Sequence, residues 1–186
     1  MKILIMTLVL LFNVALFAES YKVDTVHSKV GFKVKHLMIS NVVGYFDEFK
    51  GDYDYDPKTG KLSALMGIVK VKSINTSVLK RDNHLRSADF FNVKKFPDMK
   101  LEMTKFDDDE VYVNLTIKDV TQNVKFEYEN GGAIKDPKGK YRSAFSLEAK
   151  ISRKEYGIVY NQILEAGGVA IGDKVKISIE IEGVKK

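Results

Sequence analysis

From Tyr21 onward the chain alternates apolar and polar residues with a period of two, interrupted at short intervals by turn residues, a pattern that predicts half-buried strands. Val30, Phe32, Val34 and His36 share one parity while Lys29, Gly31, Lys33 and Lys35 share the other, so the first set is expected to face inward. Phe49, Gly51, Tyr53 and Tyr55 oppose Glu48, Lys50, Asp52 and Asp54 ahead of the turn Pro57-Lys58-Thr59-Gly60. Leu62 to Ile74 is apolar at both parities, which predicts two covered faces or a bulge near Gly67. Met99, Leu101 and Met103 resume the alternation, followed by Val111, Val113, Leu115 and Ile117, then by Val124, Phe126 and Tyr128. Tyr141, Phe145, Leu147, Ala149 and Ile151, and finally Val175, Ile177, Ile179 and Ile181, complete it. Asp107 to Glu110, Gly131-Gly132 and Asp136-Pro137-Lys138-Gly139 read as turns, and Ser152 to Asp173 as an irregular stretch with room for a short helix. The expectation is an all-β, antiparallel domain of about eight strands, curled into a barrel or a sandwich.

One segment breaks the period. In Ser73 to Pro97, Leu79, Asp82, Leu85, Arg86 and Asp89 recur at three- and four-residue spacing, which predicts a single helix of roughly a dozen residues. Asn75, Thr76 and Ser77 are suitable N-cap types, and Asp82 stands four residues before Arg86, the favourable order for a helix ion pair. Phe90, Phe91 and Phe96 give the segment an aromatic foot, and Pro97 closes it. Such an insertion can cover the open end of a barrel.

The chain's 186 residues suit one domain with a real core, and without cysteine neither a disulfide framework nor a thiolate metal site is available. The net charge of +5 is spread among interspersed acids and bases, which argues against nucleic acid as a partner. Lys2, the apolar run Ile3 to Phe17 and the small residue Ala18 before Glu19-Ser20 read as a secretory signal peptide over residues 1–18, leaving a domain over 19–186. Leu16 stands where a smaller residue is usual, so the competing reading is an uncleaved anchor, although the run is short for a membrane span. Loss of the leader removes Lys2, its sole charge, and lowers the net charge from +5 to +4. The mature protein is then expected to be exported and soluble.

Three histidines, His27, His36 and His84, would suffice for a zinc site, but His27 and His36 are nine positions apart and point to opposite faces of a continuous strand. No metal site is therefore expected. Asp52 to Asp56 imitates half of a calcium loop, yet Pro57 occupies the place of the required glycine and Ser63 that of the distal glutamate. No nucleophile elbow, cysteine or phosphate-binding glycine loop is present. What remains is the inward face: Phe32, Val34, Phe49, Tyr53, Met103, Val113, Leu115, Ile117, Phe126, Tyr128, Phe145, Leu147, Ile177 and Ile179. On parity alone its simplest reading is a close-packed core. The alternative is a dry tunnel for a hydrocarbon chain, with His36, Arg81, Asp82 and His84, together with Arg86, meeting a head group at the open end.

Five stretches bear on that choice: YKVDTVHSKVGFKVKH, VGYFDEFKG, SINTSVLKRDNHLRSADFFNVKKFP, LTIKDVTQNVKF and ISRKEYGI. In this order they resemble the successive motifs of the YceI-like family of bacterial lipid-binding proteins, and the segment holding Arg81, Asp82, His84, Leu85, Phe90, Phe91 and Pro97 is the most specific. The resemblance implies a lipocalin-like antiparallel barrel, usually periplasmic and dimeric, without established catalysis or cofactor. It implies an elongated cavity for a polyisoprenoid, an isoprenoid quinone or a fatty amide. Asp119, where the family commonly has glycine, and Tyr45, where a basic or small residue is frequent, depart from its pattern. The competing functional reading is a small enzyme, metal-assisted or not, acting on such a lipid with Arg81, Asp82 and His84 at the barrel mouth.

Overall fold

The computed structural model describes residues 18–164 and 167–186. The leader read in residues 1–18 therefore lies, but for Ala18, outside the described residues. In chain order the strands are β1 (Glu19–Val23), β2 (Lys29–His36), β3 (Ser40–Phe46), β4 (Phe49–Asp56), β5 (Lys61–Lys70), β6 (Ile74–Asn75), β7 (Asp98–Asp107), β8 (Glu110–Ile117), β9 (Val120–Lys135), β10 (Tyr141–Ser152) and β11 (Ile171–Lys185), with one helix, α1 (Leu79–Arg86), between β6 and β7.

All pairings are antiparallel, and β1, β4, β5, β7, β8, β9, β10 and β11 form a closed eight-stranded ring. Closure depends on β11 taking two partners along one edge. Its C-terminal residues pair with β1 (Tyr21 opposite Lys185, Val23 opposite Gly183), and its earlier residues, Ile171 to Glu180, pair with β2. From β2 the sheet continues outward through β3 to the two-residue β6. The seam between β11 and β4 is thus drawn together by β1 at one end, and at the other the wall spreads into β2, β3 and β6 under α1.

The drawn-in end is solid. Tyr21, Tyr53, Tyr55, Val111 and Val113 are almost wholly buried there. The rings of Tyr21 and Tyr53 stack at 5.4 Å, and those of Tyr53 and Phe145 meet edge to face at 5.0 Å, a favoured aromatic geometry. Buried phenols need partners. Tyr53 donates to the Ser143 carbonyl (3.0 Å), Tyr55 to Asn130 Oδ1 (2.9 Å) and Tyr128 to the Gly60 carbonyl (2.5 Å). Burial pushes the Tyr53 phenol up to about 12, so it stays neutral. Gly183 is required here, because a Cβ on it would lie 2.3 Å from the Tyr53 hydroxyl.

Five sequence expectations need correction. The helix has eight residues rather than a dozen, because the Leu85 and Arg86 carbonyls are taken by the Phe91 and Val93 amides as the chain turns through Asn92 at φ 51°. Its N-cap is Val78, which makes no capping bond; Thr76 is engaged elsewhere. Asp82 does not pair with Arg86: it accepts the Thr76 amide (2.9 Å) and hydroxyl (2.5 Å), and Arg86 donates to the Lys72 and Ile74 carbonyls (2.7 and 2.6 Å). These backbone acceptors fix α1 to the wall more firmly than an exposed ion pair would. Gly131-Gly132 is not a turn, since β9 runs through it; the pairing passes from Ala144 opposite Gly132 to Phe145 opposite Asn130, so Gly131 is the bulged residue, and the Ala144 carbonyl lies 2.9 Å from where its Cβ would stand. On β5 the irregularity lies opposite Asp54 and Tyr55 and not at Gly67. The 152–173 segment does hold a short helix, a 3-10 turn over Lys154–Tyr156.

Candidate functional site

Beyond the tyrosine-packed end the barrel is hollow. A cavity of about 710 Å³ extends from the level of Phe126 and Phe145 to the splayed end, which falls within the range of roughly 300–1,000 Å³ common for small-molecule sites. The inward parity of the strands puts Phe32, Val34, Phe49, Leu115, Ile117, Phe126, Phe145, Leu147, Ile177 and Ile179 on its wall, and His36, Arg81 and His84 at its outer part. Tyr53, Val113 and Tyr128, of the same parity, sit in the packed end, with Met103 opposite Val113; none of these borders the cavity. Asp82 is also off the wall, buried against Thr76. Parity therefore identifies the inside of the barrel, but not which part of it is empty.

One reason for the void is the pair Gly51 and Gly67, facing each other across β4 and β5. Together they leave a patch of wall without side chains. The two differ in surroundings: a Cβ on Gly51 would lie 2.6 Å from the Met66 carbonyl oxygen, whereas one on Gly67 would find nothing nearer than 3.9 Å.

The splayed end is roofed by α1 and the chain after it. Leu85, Phe90 and Phe91 border the cavity, with the Phe91 ring edge-on to Phe46 at 6.2 Å. His84 is held between Phe90 and Tyr160, with ring centroids at 4.9 and 4.8 Å, and hydrogen-bonds to Asp89 at 2.9 Å. Arg81 donates to the Thr76 hydroxyl (2.7 Å) and carbonyl (2.8 Å), completing a clasp with Asp82 around Thr76. The residues that the enzymatic reading would employ are thus engaged in holding the roof.

Sequence reasoning missed two polar residues on this wall. Arg153 is buried and donates to the carbonyls of Ile158, Tyr160, Ile171 and Gly172, tying the 158–160 segment to the start of β11. Burial lowers its pKa from the usual guanidinium value, though a guanidinium remains charged, so a positive charge is lodged at the cavity without a carboxylate bonded to it. Tyr156 also borders the cavity; its hydroxyl is buried with no hydrogen-bond partner among the described residues, and desolvation pushes its pKa up to about 12. It is a neutral donor awaiting an acceptor. Both residues lie in ISRKEYGI, where resemblance was the sole signal. All the charged residues bordering the cavity are cationic (Lys35, Lys50, Lys80, Arg81, Lys100 and Arg153), with Lys35, Lys50 and Lys100 of outward parity; among the described residues no Asp or Glu does so.

The three histidines are not gathered. Among the described residues the one group of three ligating side chains is Asp24, His27 and Glu182, and it is already occupied by a cation: Arg142 contacts Asp24 (2.8 Å) and Glu182 (2.5 Å), and also Asp136 (2.9 Å). It stands off the cavity. The wall is suited to holding a long apolar chain out of water, with cations and a phenol for a polar or negatively charged end.

Comparison with known proteins agrees with this architecture. Residues 21–183 match the model of the YceI-like domain. UPF0312 protein SERP2314 of Staphylococcus epidermidis is 38% identical over 165 residues, covering 87% of this chain and 95% of the relative. The crystal structure of the Campylobacter jejuni YCEI protein superposes with a TM-score of 0.70 at 34% identity, over 82% of this chain and 90% of that one. A polyisoprenoid binding domain from Saccharophagus degradans shares the fold, with a TM-score of 0.68 at 12% identity over 90% of this chain and 99% of that one. Matched along nearly all of its described length, the chain belongs to the YceI-like domain family.

Proposed function

We propose that the protein binds and carries, or sequesters, a long-chain amphiphilic lipid: a polyisoprenoid, an isoprenoid quinone or a fatty amide. The observation that carries this reading is the apolar cavity of about 710 Å³ bounded by aliphatic and aromatic side chains. Each methylene transferred into it contributes about 0.8 kcal/mol, so a chain of some sixteen carbons gains roughly 13 kcal/mol, enough to exceed much of the cost of association. The polyisoprenoid binding domain of the same fold bears in the same direction. The residues for which we propose ligand contact are those on the wall, with Arg153 and Tyr156 as further polar contacts. With residues 1–18 read as a cleaved leader and 19–186 as the carrier, the place of action is the periplasm. Organic extraction of protein purified from a bacterial periplasm should release one equivalent of such an amphiphile by mass spectrometry, from a chain beginning near Glu19. An empty extract, together with failure to take up cis-parinaric acid, would refute the carrier reading.

A further inference from the structure

The rim of the cavity carries side chains that the fold does not use. β2 and β3 are joined by the three residues Leu37, Met38 and Ile39, in a tight turn whose central Leu37 and Met38 both have positive φ (50° and 61°) and which is closed by the Ile39 amide bonding to the His36 carbonyl at 3.2 Å. A turn with positive φ at both central residues strongly favours Asn and Gly. Here it is built from Leu and Met, and it leaves Met38 63% and Ile39 84% exposed. Local backbone preference is thus set aside to present aliphatic groups to the outside, and such violations concentrate at functional sites.

The turn is braced. The Leu37 amide bonds to the Ala170 carbonyl (2.8 Å), and the Met38 thioether lies over Gly168, 2.6 Å from where a Cβ would be. This places beside it the loop that carries Ile163, 88% exposed. His36 and Gln162, which flank these residues in the chain, border the cavity, as do Val78 and Lys80 at the start of α1 next to the exposed Leu79. The fringe therefore surrounds the way in. Among the described residues, its charged members on the cavity border, Lys35, Lys80 and Arg81, are all cationic; Asp89, on the roof, is paired with His84.

We propose that this fringe docks on the surface of an anionic lipid bilayer, with Met38, Ile39 and Ile163 entering the acyl boundary and the cations meeting the head groups, so that lipid passes between bilayer and cavity without crossing water. Exposed aliphatic groups beside basic ones are the combination that interfacial binding requires, and a protein partner would leave the cations on the described border unexplained. The inference rests on the carrier reading for what is transferred, but docking itself is tested separately.

The test is flotation of the delipidated protein with vesicles of phosphatidylcholine and phosphatidylglycerol in equal parts, or of phosphatidylcholine alone, alongside titration with cis-parinaric acid. The protein should float with the anionic vesicles and release from them as salt is raised. The double substitution Ile39→Asp and Ile163→Asp, at positions off the cavity wall, should lower binding at least tenfold and leave parinaric acid uptake unchanged. Uptake of the acid without flotation would overturn docking and leave the cavity reading standing. Flotation without uptake would uphold docking and sink the carrier. Loss of uptake in the double variant, or a wild-type dimer that the same substitutions dissociate in the absence of vesicles, would also overturn docking, the second by making the fringe a protein interface.

Discussion

Filling the void from its bare wall tests its existence directly. Gly67 has ordinary strand backbone, and a Cβ there would have Leu101 Cβ at 4.0 Å and the Lys50 carbonyl at 3.9 Å, with open space beyond. Gly67→Leu therefore adds four carbons to the wall. Replacing a strand glycine is worth about 0.5–1 kcal/mol, and half-burying a leucine against one side of a cavity roughly 1 kcal/mol more. The delipidated protein should gain about 1.5–2 kcal/mol, or roughly 3–8 °C in melting temperature for a domain of this size. Binding moves the other way. Displacing about four methylenes of ligand forfeits about 3 kcal/mol, close to a two-hundredfold rise in Kd for cis-parinaric acid. Calorimetry on the delipidated protein and a fluorescence titration read the two effects separately. In a filled barrel the same leucine would be overpacked and cost about 1–3 kcal/mol. A lowered melting temperature with unchanged affinity would thus refute the reasoning. Gly51→Ala is the control: its Cβ would meet a carbonyl oxygen at 2.6 Å, so it should destabilise where Gly67→Leu stabilises.

Other expectations follow from polar groups already described. Tyr156→Phe removes a buried hydroxyl without a partner, so the empty fold should gain about 1 kcal/mol in denaturant unfolding, while affinity for the co-purifying lipid falls if that hydroxyl meets its polar end. Asp82→Ala breaks the clasp on Thr76 and should cost about 2–4 kcal/mol, read as a shift of the urea midpoint with unchanged slope. Arg142, then His27, hold the Asp24 carboxyl down at about 2 from its ordinary 3.8. A depressed folded-state pKa contributes stability that is full above the unfolded value and lost as pH falls through the folded one. The order of 1–2 kcal/mol should therefore disappear between about pH 4 and 2, and Arg142→Ala should flatten that part of the stability curve.

Most of the fold was legible, because period-two alternation reports directly which side of a sheet a residue occupies. The helix was located by the same logic, but its length was not: the residues that end it act through backbone amides at Phe91 and Val93 that no side-chain pattern records. The cavity was legible in identity and not in extent. Tyr53 and Phe32 obey the same parity, yet one fills the barrel and the other lines a hollow, because the difference arises from where β1 stops and β2 takes over the edge of β11. Arg153 was invisible for a different reason. It sits in an irregular stretch, and its partners are carbonyls at Ile158, Tyr160, Ile171 and Gly172, groups that every residue possesses.

The edge of β11 shared by β1 and β2 also sets the order in which the molecule can be made. β1 and β2 both wait for a strand far along the chain, so the ring has no route to closure before β11 is in place. Pairings this distant along the chain form slowly and leave strand edges open in the meantime. The folding chain therefore keeps the edges of β1 and β2 unpaired on that side until β11 arrives and Lys185 stands opposite Tyr21.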